Sequence, residues 1–242
     1  MASAYLARRE QALKESSFSL DEIGGYLIDL GRSIRRMPGW DGLYPPLREF
    51  MQNTIDHLEL LNPETGLGPR PAVKLDVRSG GGAVTYDFSC GVNVCSIVVE
   101  PDSLTIEQAF THPLHPGALD SGVVDKSKQN ATTAGGFGDG FKSAIVVLLA
   151  RDGPTPTLRW TFEAADRTIT WDFLRRTQPA VGTLSAADVL VVNIDVRPGH
   201  NARSNVMRQE YHVKGIGDAF RDECVPRLQL FWEVRQPAEV VV

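Results

Sequence analysis

The sequence predicts an α+β fold, a two-layer sandwich in which helices cover one face of a mixed, mostly antiparallel sheet. Three observations lead there. Apolar residues recur at helical spacing before residue 62 and again after residue 139, whereas from residue 72 the period changes to two. The order of elements is helices, strands, a long polar loop, a helix and more strands, without the regular βαβ alternation of a parallel sheet.

Residues 3–16 read as a weakly amphipathic helix. Ser19-Leu20-Asp21-Glu22 fits a capping box, with Ser19 as N-cap and Glu22 reaching back. The helix it opens runs to about Arg36, with Ile23, Leu27 and Leu30 on one face, and Pro38-Gly39 ends it. After a loop at 40–44, Pro45 and Pro46 suit the first turn of the next helix, where a missing N–H does no harm. That helix runs to about Leu61, where Asn62-Pro63 stops it.

Alternation at 73–77, 83–88 and 92–99 gives strands, the first two joined by Ser79-Gly80-Gly81-Gly82. Residues 105–110 read as a short helix. Residues 111–134 are polar, and a loop of that length in a compact domain is a functional lid or a disordered segment. A helix at 139–150 precedes strands at 157–163, 167–173 and 189–196. A loop at 197–208, a strand at 211–213, a helix at 217–223 and a strand at 228–234 complete the chain. Residues 1–40 thus form a helical extension ahead of a domain at 41–242.

At 242 residues, with 42% hydrophobic and 23% charged residues, the chain has enough apolar material for a core without disulfide staples. The net charge of -5 argues against nucleic-acid binding through this domain alone. Cys90, Cys95 and Cys224 form no ligand or disulfide pattern and read as reduced thiols of an intracellular protein. Residues 1–14 carry no signal peptide, and the longest apolar stretch, 144–150, is far too short for a membrane span. The expectation is a soluble protein of the cytoplasm or nucleus with no membrane partner.

Two blocks carry chemistry. In the first, Leu47 to His57, the side chains of Glu49, Asn53 and Asp56 share one helix face at spacing i, i+4, i+7. The ordinary reading is the polar stripe of a surface helix. The chemical reading gives Asn53 an oxygen suited to Mg²⁺, Glu49 a carboxylate that deprotonates water, and Asp56 a bond to a nucleotide or its waters. Glu49 is also expected in the first helical turn, where negative charge is favoured.

The second block is Gly135-Gly136-Phe137-Gly138-Asp139-Gly140-Phe141-Lys142-Ser143-Ala144. Its glycines permit close approach of an anion to a helix N-terminus, and Lys142 and Lys128 add positive charge. The ordinary reading is a tight turn without a ligand, but four glycines in six residues exceed what a turn needs. A P-loop fits poorly, because Phe141 separates Gly140 from Lys142 and no apolar strand precedes the block. A kinase glycine loop lacks the H-R-D and D-F-G strings that follow it.

Together the blocks resemble the GHKL ATPase superfamily, which groups gyrase, heat-shock chaperone, histidine kinase and mismatch-repair ATPases. Residues 47–56 look like its N-box. Residues 136–144 look like its phosphate-binding lid motif, most like the chaperone and microrchidia branches. The resemblance spans about residues 45–195 and implies ATP and Mg²⁺ as ligands. It makes Glu49 the catalytic base, Asn53 the Mg²⁺ ligand and Asp56 a polar wall. Gly136, Phe137, Gly138, Gly140, Phe141 and Lys142 would hold phosphates, with Lys128 near them in a lid at about 111–140. Lid closure would control a homodimer or a protein partner.

There is one departure. The family's D-x-G-x-G is absent, and Glu100, or else Asp102, stands where its Asp would bond adenine. That keeps a second implication open: a degenerate nucleotide-gated or nucleotide-free interaction module without turnover. A histidine-type kinase lacks its phosphoacceptor helix here, and His57 and His112 read as structural or exposed.

Overall fold

The computed structural model describes residues 23–34, 38–60, 74–90, 93–110, 139–180, 185–199 and 205–227. Within them the chain forms strands β1 (Gly24–Ser33), β2 (Lys74–Gly80), β3 (Ala83–Cys90), β4 (Asn93–Glu100), β5 (Ser103–Ala109), β6 (Thr157–Glu163), β7 (Arg167–Gln178), β8 (Ala187–Pro198) and β9 (Val206–His212). Helix α1 (Tyr44–Leu60) precedes β2, and α2 (Asp139–Leu149) precedes β6. The short α3 (Ile216–Ala219) runs into a π-helical turn at Phe220–Cys224.

All nine strands join one sheet in the order β1-β8-β7-β6-β9-β5-β4-β3-β2, and every described pairing is antiparallel. Strand β9 is inserted between the meanders β2–β5 and β6–β8 and welds them together. The expected α+β sandwich with a mixed, helix-covered sheet is therefore corrected. Among the described residues strand outweighs helix by 53% to 24%, and the three helices there are short beside a nine-stranded antiparallel sheet.

Two misread segments account for much of the difference. Residues 24–33, expected as helix, are the edge strand β1, paired to β8 through Tyr26↔Ile194 and Ile28↔Val192. Residues 103–109, partly expected as helix, are β5, where Leu104, Ile106 and Gln108 alternate inward. The helix expected at 3–16, the capping box at 19–22, the strand at 228–234 and the lid up to residue 138 lie outside the described residues.

One face of the sheet is apolar. Register places Ile97, Ile106, Gln209, Trp160, Trp171 and Ile194 in one row across adjacent strands, all buried. Helices α1 and α2 pack side by side against this face. Leu47, Phe50, Met51 and Thr54 form the buried stripe of α1 at helical spacing. Helix α2 is enclosed from Lys142 to Leu149, in keeping with its nearly unbroken apolar sequence. The opposite face is polar and carries cross-strand ion pairs, Arg159–Asp172 at 2.6 Å and Arg208–Glu107 at 2.7 Å. Among the described residues, no helix is long and apolar enough to cross a membrane.

Candidate functional site

The two helices that carry the motifs meet over the middle of the sheet, the second turn of α1 against the first turn of α2. Pro45 and Pro46 start α1 as expected, but the helix begins at Tyr44, so Glu49 falls in its second turn. That corrects the expected first-turn placement: no acidic residue occupies the first turn of α1. The dipole that Glu49 meets belongs to α2.

Glu49 points at Gly140. A Cβ built on Gly140 would fall 2.8 Å from Glu49 Cδ and closer still to Oε2. No side chain fits there without moving the carboxylate. The group that lies against Gly140 is thus the protein's own Glu49 carboxylate. The carboxylate is 17% exposed and is bonded from the solvent side by Arg48 at 2.7 Å.

Each motif residue is followed by an aromatic ring that seats its helix. Phe50, next to Glu49, stacks on Tyr211 with centroids 4.3 Å apart and planes at 13°. Phe141, next to Gly140, lies on Trp160 at 4.5 Å. The two seats are tied together beneath: Trp160 Nε1 donates to the Tyr211 hydroxyl at 3.0 Å, and that hydroxyl donates to Gln209 Oε1 at 2.7 Å. Burial pushes the Tyr211 phenol far above its usual range, so it keeps its proton. This buried chain links the ring under α1 to the ring under α2. Sequence reading missed Tyr211, Gln209 and Trp160, and no local signal links residues 51 positions apart.

Asn53 lies one turn beyond Glu49 on α1 and is half-buried. Asp56 follows on the same helix, with its side chain outside the described residues. Lys142 is 1% exposed in the first turn of α2, so its ammonium meets a ligand only where that ligand is itself enclosed. Lys128, Gly136, Phe137 and Gly138 lie outside the described residues.

Glu100 belongs to a different local structure. It closes the turn between β4 and β5, where its carboxylate accepts from Ser103 Oγ at 2.7 Å. The turn is clamped by the start of α3: Gly217 N donates to Pro101 O at 3.0 Å, and Gly215 N to Asp102 Oδ1 at 2.6 Å. Both acids offered for adenine recognition are thus engaged in exposed turn contacts.

Among the described residues, no group of three or more His, Cys, Asp and Glu side chains is arranged to hold a metal. A cleft of about 300 Å³ lies at the other end of α2, lined by Trp40, Asp41, Val147, Arg151 and Asp152 among others, and contains none of the expected site residues. No protein-family model and no curated protein matches the chain.

Proposed function

We propose that the junction of α1 and α2 binds Mg-ATP, and that the protein is a Mg²⁺-dependent ATPase whose lid closure controls a homodimer or a protein partner. The observation that carries this reading is the meeting of Glu49 with Gly140, one from each motif and remote in sequence. A helix-face carboxylate beside a glycine at a second helix's N-terminal turn suits a base next to a phosphate.

In this reading Glu49 accepts a proton from a water whose oxygen attacks the γ-phosphorus. The bond from that phosphorus to the β,γ-bridging oxygen breaks, releasing ADP and inorganic phosphate. The Asn53 side-chain oxygen would be the protein donor for Mg²⁺, and a single neutral donor suits an ion that keeps several waters. When bound, the ion withdraws charge from the phosphates. Asp56 walls the pocket; Gly136, Phe137, Gly138, Gly140 and Phe141 line the phosphates, and Lys128 and Lys142 supply positive charge.

A second reading has its own observation. Ser103 holds the Glu100 carboxylate in an exposed turn, and that leaves adenine recognition without the acid the resemblance calls for. It favours a nucleotide-gated or nucleotide-free interaction module without turnover.

Thermal unfolding with millimolar Mg-ATP, together with phosphate release, separates the readings. The ATPase reading expects stabilisation of about 2.7 kcal/mol at a ligand concentration a hundredfold above Kd. It also expects phosphate release that Glu49→Ala abolishes while binding persists. Stabilisation without release in the wild type selects a nucleotide-gated module, and no stabilisation at all rejects the ATPase and leaves the nucleotide-free module.

A further inference from the structure

We infer that Glu49 closes the site it serves: its carboxylate fills the space against Gly140 that a phosphate needs, so nucleotide enters by displacing it. This rests on the nucleotide reading above and adds its regulation. The space left by the missing side chain of Gly140 is taken by Glu49 Oε2 and Cδ. Any ligand atom brought as near to Gly140 as a glycine allows must move that carboxylate.

The helices themselves are poorly placed to yield. Phe50 and Phe141 are held on Tyr211 and Trp160 by ring contacts at 4.3 and 4.5 Å, over a buried hydrogen-bonded chain. The yielding part is the Glu49 side chain, which is flexible and partly exposed. Its latch is Arg48, itself 44% exposed, and exposed ion pairs of this kind are weak. Phosphate entry therefore rotates Glu49 outward rather than spreading α1 from α2. The same rotation frees the carboxylate to receive a proton from water.

Isothermal titration with Mg-ADP and with inorganic phosphate tests this on the wild type, Glu49→Gln and Glu49→Ala, each checked for fold by circular dichroism. Removing the internal anion should tighten both ligands, about fivefold for Glu49→Ala, with the isosteric Glu49→Gln moving in the same direction. Binding by the variants alone also supports the inference. Equal or weaker binding in both variants, with the wild type still binding, overturns the gate and leaves the nucleotide site standing. No binding by any of the three proteins overturns the site and the gate together.

Discussion

Replacing Tyr211 by Phe removes one buried oxygen and exposes the energetics of the whole junction. The hydroxyl accepts from Trp160 Nε1 at 3.0 Å and donates to Gln209 Oε1 at 2.7 Å. All three residues are buried on the central strands β6 and β9. In Tyr211→Phe the Trp160 donor and the Gln209 acceptor each lose that partner. A buried group so stranded costs about 1–3 kcal/mol, and because both losses arise from one atom they add incompletely. A total of about 2–4 kcal/mol is expected. The ring and its stack on Phe50 remain, so α1 keeps its seat. Tyr211→Leu removes that stack as well and leaves a cavity, so it should lose at least about 0.5–1.5 kcal/mol more. Equilibrium urea unfolding reads both variants, with a lowered midpoint and an unchanged slope. Adding Gln209→Leu to Tyr211→Phe should recover part of the loss, since the stranded acceptor is then gone. A loss below about 0.5 kcal/mol for Tyr211→Phe, or no recovery in the double variant, refutes the claim that the hydroxyl ties the two seats together.

Other outcomes follow from the same geometry. Gly217→Ala should destabilise by at least about 2 kcal/mol, because its Cβ would fall 2.6 Å from the Glu100 carbonyl carbon, which is backbone. Gly140→Ala should stay within about 1 kcal/mol of the wild type, because its clash is with the end of a flexible side chain; equal thermal shifts for the two variants would contradict this. Bonds from the Thr177 hydroxyl and Arg175 hold the Asp188 carboxyl below its usual range. Its contribution is thus present above about pH 4 and lost as pH falls through the lowered value. Thermal midpoints across that window should drop less steeply in Asp188→Asn, and parallel curves would argue otherwise. Burial pushes the Cys224 thiol up to about 12 and raises that of Cys95 further. Alkylation at pH 8, mapped by mass spectrometry, should leave both untouched in the native protein and modify both in urea, whereas rapid native labelling of either contradicts their enclosure.

Much of the local structure was legible because local chemistry determines it. The Gly81-Gly82 turn, with both φ angles positive at +63° and +86°, joins β2 and β3 as its composition announced. The two prolines start α1, and its apolar stripe reaches the core as the spacing required. The edge strand β1 was misread because Ile23, Leu27 and Leu30 also satisfy a helical period. In the sheet Tyr26, Ile28 and Leu30 share the core-facing side, while Leu27 is 55% exposed. Gly24, Gly25 and Gly31 were the available warning, since each disfavours a helix by about 1 kcal/mol. In β5 the buried Gln108 disguised the alternation. The position of β9 between β5 and β6 is set by pairing across large sequence distances, and no window of sequence contains it.

The candidate site was legible in part for the same reason. Spacing put Glu49 and Asn53 on one face of a helix, and composition marked the glycine block. That Glu49 lies against Gly140 depends on how two helices dock on Tyr211 and Trp160, which only the assembled sheet reveals.

The central claim, that nucleotide phosphates sit between α1 and the first turn of α2, is tested most directly by titrating ¹⁵N-labelled protein with Mg-ATP and following its amide resonances. The account predicts the largest, saturable shifts at the backbone amides of Gly140 and Phe141 and at the side-chain amide of Asn53. Absence of shifts, or shifts confined to the distant cleft at Trp40 and Arg151, would contradict it.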